Sequence, residues 1–309
     1  MMPKPLIKIG SRGSQLALWQ AQWVQSQLQS KGLRVEIQKI KTTGDKILDV
    51  PLAKLGGKGL FVKEIEEALM RKEIDLAVHS MKDVPSEIPE PLHLAAIPRR
   101  EDPRDAVISR EGLNIAGLPR GATIGTSSLR RQTQLSAFRS DLKFVMLRGN
   151  LGTRLRKLEE GNFDAIILAA AGLHRLGWKD RITEYLSPEI LLPAIGQGAL
   201  GIECRRDDQE TNTLIAFLND SETVYTVSAE RAMLIRLEGG CQIPIGGYAT
   251  LNEGRVTLRG LVASLDGKEI IRESQTADAS EATPLGISVA ESLLAKGADR
   301  ILWEIYEDD

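Results

Sequence analysis

The sequence predicts an α/β protein of two similar lobes followed by a small α+β domain. Three observations carry this. Strand-like and helix-like segments alternate from residue 6 to about residue 170. One strand–loop–helix unit occurs twice, and after about Asn219 the pattern changes to three alternating strands between helical stretches. The 309 residues suffice for two or three domains of roughly 100–150 residues each.

The first unit opens with LIKIG (6–10) as a strand and SRGS (11–14) as a loop. A helix follows in which Leu16, Trp19, Trp23, Val24 and Leu28 share a face until Gly32 stops it. RVEIQKI is the next strand, and a polar, glycine-bearing loop runs from about Thr43 to Gly59. An amphipathic helix (Phe61, Val62, Ile65, Ala68, Leu69) and the strand IDLAVHS complete the unit. The second unit reads ATIGTSS (122–128), helix LRRQTQLSAF, strand LKFVMLRG, helix TRLRKLEEG and strand FDAIILAA. Such alternation implies a parallel sheet in each lobe. In the last third, the helix TVSAERAMLIRLE runs into a Gly-Gly-Cys loop. The strands GGYATL, RVTLRGLVAS and KEIIRES then turn at Asn252–Gly254 and Asp266-Gly267, and one helical stretch, SVAESLLAKGADRILWEIYE, closes the chain.

Composition narrows the function. The chain is 42% hydrophobic and 27% charged, ordinary for a globular protein. Its longest apolar stretch, AIILAAAGL at 165–173, falls short of the ~18 residues of a membrane span. The N-terminus MMPKPLIKIG lacks the apolar core of a signal peptide, so a cytoplasmic, reducing setting is expected. Two cysteines make no disulfide framework and no zinc spacing, and no metal site is expected. A net charge of −2 argues against a nucleic-acid binder, and 4% aromatics leave little for base stacking. Yet residues 120–156 hold seven Arg and one Lys against a single acid, Asp141. A cluster this lopsided needs an anion or a compensating acidic surface.

The repeated loops offer a place for that anion. Ile9-Gly10-Ser11-Arg12 and Ile124-Gly125-Thr126-Ser127 each end a strand and lead hydroxyl groups into a helix. Facing lobes would aim both helix N-termini at one cleft, where free N–H groups and the helix dipole favour an anion. The alternative is that these hydroxyls serve only as helix caps. Asp83 ends the strand IDLAVHS, where α/β proteins bind ligands, and is either an ion-pair partner or an acid/base group. Cys241 lies among glycines and Pro244, so its backbone is expected to be turn-like and its sulfur accessible, whereas Cys204 sits in an alternating strand as a small apolar residue. GQGALG at 196–201 is no dinucleotide site, because it leads into the strand GIECR rather than a helix. GGKG at 56–59 is no P-loop, since Lys58 is followed by Gly. The histidines at 79, 93 and 174 show no metal spacing, and His79 reads as structural, with a role beside Asp83 as the alternative.

Several segments carry a resemblance: SRGSxLALWQ, TTGD, PLAKLGGKGLF, HSMKDVP, EDPRDA, GTSSLRRQ, LRGNLGTRLRKL, PAIGQGALGIECR, AERA and GGCQIPIG. In this order they span nearly the whole chain, which resembles the porphobilinogen deaminase (hydroxymethylbilane synthase) family. The resemblance implies two lobes similar to type II periplasmic-binding proteins plus an antiparallel third domain. Their expected limits are 1–98 with 198–217, 104–193, and 218–309. It implies that the chain crosses between lobes near Pro98–Asp105 and returns near Pro193–Gly201.

It also implies stepwise condensation of four porphobilinogen units, with loss of ammonia, on a covalent dipyrromethane cofactor, and hydrolytic release of hydroxymethylbilane. The cofactor would hang from Cys241 by a thioether. Asp83 would stabilise the cation left by ammonia and move protons. Lys82, Thr126, Ser128, Arg130, Arg131, Arg148 and Arg154 would bind the cofactor. Arg12, Ser14, Gln20, Arg148, Arg154 and Arg175 would bind substrate. Arginine–carboxylate contacts contribute roughly 1.5–3 kcal/mol per charged hydrogen bond. Segment 43–59, with Asp45, Lys54 and Lys58 leading to Phe61, would form a lid. The expected partner is the small-molecule substrate, with no membrane or nucleic acid, and the chain is expected to be monomeric. A two-lobe polycarboxylate-binding or ligand-sensing protein is the rival reading.

Overall fold

The structure, a computed structural model, describes residues 6–46, 62–237 and 243–307. The chain starts with β1 (Leu6–Ser11), α1 (Gln15–Ser30), β2 (Arg34–Lys39), α2 (Thr43–Lys46), α3 (Lys63–Met70), β3 (Leu76–Ser80) and β4 (Leu92–Ala96). Ser14 caps α1 by accepting a hydrogen bond from the N–H of Ala17, and Gly32 ends it at φ +76°. The fully buried face of α1 is Gln20, Ala21, Val24 and Leu28, while Leu16, Trp19 and Trp23 are half-buried beside it. A polar residue thus sits where apolar periodicity alone would place a hydrophobe.

The chain then leaves this sheet for a second one. Its elements are β5 (Asp105–Ser109), β6 (Thr123–Gly125), α4 (Leu129–Phe138), β7 (Lys143–Val145), α5 (Leu151–Glu159), β8 (Ala165–Ala169), α6 (Ala170–Arg175) and β9 (Glu184–Tyr185). The strand read over LKFVMLRG shrinks to three residues, Lys143–Val145. The chain returns through β10 (Leu200–Arg205) and α7 (Gln209–Ile215).

The two sheets have the same architecture, β2-β1-β3-β10-β4 and β7-β6-β8-β5-β9. In each, four strands run in one direction, and the strand entering from the opposite lobe runs antiparallel to both its neighbours. The expected parallel sheets are therefore mixed. The reason is the double crossing: β5 and β10 arrive from the other lobe and enter against the local direction. β3 and β8 are buried along almost their whole length, as strands covered on both faces must be.

The third unit comprises α8 (Ser221–Arg236), β11 (Ile245–Asn252), β12 (Arg255–Ala263), β13 (Ile270–Asp278), α9 (Ala282–Leu293) and α10 (Asp299–Glu307). Its three strands form an antiparallel sheet, and α8 and α9 cover one face over Met233, Val256, Leu258, Val289 and Leu293. Close contact of the two helices depends on Gly286, where a Cβ would meet the carbonyl oxygen of Ala229 at 2.2 Å. The single closing helix expected from sequence is two helices, broken at Gly297 (φ +101°). None of the helices among the described residues is long and apolar enough to cross a membrane.

Candidate active site

The centre of the site is the turn after β3. Met81–Asp83 form one turn of 3-10 helix, anchored by the Met81 N–H to the Ala199 carbonyl at 3.0 Å. Met81 is buried beneath it while Asp83 is exposed. Gln20 donates to the hydroxyl of Ser80 at 2.9 Å. At 2% exposure, Gln20 stands behind this turn as a support.

The second lobe supplies the charge. Arg130 donates to Leu192 O at 2.6 Å and lies 2.8 Å from Asp105 Oδ2. Arg131 donates to Asp105 Oδ1 from Nε (2.9 Å) and Nη2 (2.6 Å), and to Ile167 O at 2.8 Å. Both guanidiniums are buried, and Asp105 is fully so. The two arginines hold Asp105 down at about 2 against the burial that would raise it. Two candidate cofactor arginines therefore share one carboxylate that the sequence reading passed over.

Lys82 and Arg154 have no carboxylate within ion-pair distance among the described residues. Lys82 reaches Gln197 Oε1 at 3.4 Å, and Arg154 Nε donates to Gly149 O at 2.8 Å. Burial pulls Lys82 down to about 8, helped by Arg131 and Arg130 and opposed by Asp83 and Asp105. Burial likewise pulls Arg154 down to about 10, with Arg131 and Arg148 adding repulsion and Asp83 opposing it. Asp83 of one lobe thus acts electrostatically on Arg154 of the other. Cations depressed in this way favour an anionic ligand that would restore their partners.

The remaining predicted residues fall into distinct places. Ser14 uses its oxygen as the α1 cap at 3.3 Å, leaving its proton to donate, so capping and binding are compatible. Ser128 stands at the α4 N-cap without a side-chain capping bond, and its own N–H goes to Thr126 Oγ1 at 3.2 Å. Thr126 is buried. Arg175 is nearly buried, donates to Gly198 O at 2.7 Å and is lowered to about 10 by burial. Arg12 and Arg148 are half-buried. Asp45 has its backbone in α2, with its side chain outside the described residues, as are Lys54, Lys58, Phe61 and Cys241 altogether. The expected lid therefore lies largely outside them too. Cys204 is fully buried, and burial pushes its thiol far above the ordinary value.

The arginine-rich segment divides. Arg139 is a structural clasp, bonded to Asp141 and to the carbonyls of Ile115 and Leu118. Arg156 pairs on the surface with Glu160 at 3.5 Å. All three histidines are hydrogen-bonded: His79 to Glu203 (2.9 Å), His93 to Asn212 (3.0 Å), and His174 to both Glu101 (3.0 Å) and Tyr185 (2.8 Å). His79 is buried in its pair with Glu203.

The crossings are tied together from the third unit. Fully buried Glu230 of α8 accepts from Arg100 at 2.6 and 3.1 Å, from Gly196 N at 2.7 Å and from Ala249 N at 2.8 Å. Gln197 donates to Pro103 O at 2.7 Å while facing Lys82. Sequence reasoning missed Asp105, Gln197 and this Glu230 hub. The only signal was that EDPRDA, AIGQG and AERA stood among the motifs.

The site thus belongs to an α/β protein of two mixed-sheet lobes, with Lys82 and Arg154, both lowered by burial, under the electrostatic influence of Asp83. Residues 7–213 match the family described as "Porphobilinogen deaminase, dipyromethane cofactor binding domain", and residues 224–295 match "Porphobilinogen deaminase, C-terminal domain". The chain is 59% identical over 309 residues to a porphobilinogen deaminase of Geobacter metallireducens, covering 99% of this chain and 96% of that one. It is 58% identical over 307 residues to one of Syntrophobacter fumaroxidans, covering 99% of each. This chain belongs to the porphobilinogen deaminase family. Among solved structures, the methionine-binding protein MetQ covers 74% of this chain and 94% of its own length at 16% identity and a TM-score of 0.43. Two five-stranded sheets of matching strand order make the two lobes of this chain.

Proposed function

We propose that the chain condenses four porphobilinogen units head to tail, releasing one ammonia per coupling. Growth occurs on a Cys-linked dipyrromethane, and water then releases the linear tetrapyrrole hydroxymethylbilane. The match of residues 7–213 to the dipyrromethane cofactor-binding family carries this reading, and it agrees with the set of cations, Lys82 and Arg154, that have no carboxylate within ion-pair distance among the described residues. The dipyrromethane bears four carboxylates, which suits that set together with Arg130, Arg131 and Arg148, even after Asp105 has neutralised one charge. When bound, it supplies the pyrrole carbon to which units are added.

Each residue then has a task. Asp83 stabilises positive charge on the substrate pyrrole nitrogen and moves the protons needed as the amine leaves and aromaticity returns. Arg12, Arg148, Arg154 and Arg175, with Ser14, orient substrate carboxylates. Lys82, Thr126 and Ser128 hold the cofactor with the buried arginine pair. Gln20 holds the Asp83 turn through Ser80 and belongs to the substrate-binding set. Cys241 is the attachment residue, since the chain's other cysteine is sealed in the first lobe's core. Segment 43–59 excludes water as a lid. The proposal extends to the three domain limits given above and to a cytoplasmic monomer.

The test is turnover by Asp83→Asn. We expect correct folding and a loss of at least about 10²–10⁴ in ammonia release from porphobilinogen. Wild-type rates in the folded variant would remove Asp83 from the chemistry, and no ammonia release by the wild type would end the proposal.

A further inference from the structure

A cavity of about 700 Å³ opens between β4 and the helices α8 and α9, away from the residues assigned to the reaction. Its walls are apolar, with Leu94, Ile97, Val224, Val227 and Ile287 prominent. Its volume lies in the range of small-molecule sites, roughly 300–1,000 Å³. Two charged residues line it, Arg231 and Arg236. Arg236 is satisfied by Glu291 at 2.6 Å. Arg231 has no carboxylate within ion-pair distance among the described residues. Two of its five N–H groups go to backbone oxygens, Val84 O at 3.3 Å and Pro85 O at 2.8 Å. Burial alone acts on its pKa, downward, with no acid opposing it.

A half-buried guanidinium without a counter-charge, at the wall of an apolar cavity, matches one anionic head on an apolar body. A polycarboxylate does not match, because only one guanidinium is to spare. We propose that this cavity is a second ligand site for a small amphipathic carboxylate whose head engages Arg231. Arg231 belongs to the AERA segment of α8, and the carbonyls it holds belong to the two residues that follow Asp83. A carboxylate makes a stronger partner for a guanidinium than a neutral carbonyl does. A bound head group therefore competes for Arg231, loosens Val84–Pro85 and slows the reaction at Asp83.

The probe is 1-anilinonaphthalene-8-sulfonate, a fluorescent anionic amphiphile, titrated into the holoenzyme with decanoate as competitor. The site predicts saturation at one probe per chain and displacement by decanoate. Ile287 is 43% exposed, so Ile287→Glu should fold while placing a negative charge at the cavity. This variant should bind the probe at least tenfold more weakly, whereas Gln22→Glu, the same charge change on exposed α1 surface, should bind normally. Equal binding by Ile287→Glu, or failure of decanoate to compete, would overturn the site. Displacement by decanol as effective as by decanoate would overturn the Arg231 head group. Decanoate should lower porphobilinogen turnover at least twofold in wild type and not in Ile287→Glu; binding without that loss would overturn the link to Asp83. An untreated wild type with no turnover would count against the proposed activity, and the binding measurements would still decide the site.

Discussion

Replacing Asp105 by Asn keeps the shape of the side chain but removes the one negative charge shared by Arg130 and Arg131. All three groups are buried, with Asp105 at 0% exposure. Asparagine can still accept from Arg131, but its amide group must then face the Arg130 guanidinium, a donor against a donor. Two sizes can be set on the loss. Asp105 is held at about 2 in the folded protein against an ordinary 3.8, which corresponds to roughly 2 kcal/mol of proton linkage. Because its folded pKa is depressed, that stability is present above about pH 4 and lost as pH falls through about 2. The substitution costs more than the linkage, since it leaves two like charges desolvated; breaking buried pairs costs about 3–5 kcal/mol. Thermal melts of the adduct-free protein should fall by on the order of 10 °C. In the holoenzyme, cofactor carboxylates partly replace the missing charge, so the loss should be smaller. An adduct-free Asp105→Asn within about 1 kcal/mol of wild type would show that the arginine pair is balanced by something other than Asp105.

Intact mass should exceed the sequence mass by two porphobilinogen units less two ammonias, and should survive a reducing agent; Cys241→Ser should lose the adduct and Cys204→Ser keep it, so an adduct on Cys241→Ser would refute the attachment. Lys82 at about 8 is charged below that pH in the adduct-free protein, so loading of the anionic cofactor should weaken as pH rises through 8, and Lys82→Met should flatten that limb of the profile. Glu66 of α3 is raised to about 7 by burial and by nearby Glu203, with His79 opposing. Its contribution to stability is full below about pH 4.5 and lost as pH rises through 7, so Glu66→Gln should gain about 1–2 kcal/mol at pH 8 after allowance for its half-exposure. Equal chemical denaturation midpoints for the two proteins at pH 8 would refute this.

Local patterns were legible because their causes are local. Apolar periodicity and Gly32 set the span of α1, and alternation set β11, β12 and β13. The repeated Ile-Gly-hydroxyl segments marked the starts of α1 and α4 for the same reason. Asp83 was recognisable as a strand-end carboxylate and Cys241 as a turn-borne thiol among glycines and Pro244, but the role of each rested on the family motifs.

What the sequence determined by itself was the elements, the repeat and the excess of charge in 120–156. What only the tertiary structure decided was where each charge goes. Arg130, Arg131, Arg139 and Arg156 look alike along the chain, yet two share buried Asp105, one clasps Asp141 and one pairs at the surface. The antiparallel entry of β5 and β10, the support of the Asp83 turn by Gln20 and Arg231, and the gathering of both crossings on Glu230 were likewise hidden. Each joins residues from 34 to 146 positions apart, and no periodicity in one segment records which distant segment will desolvate it.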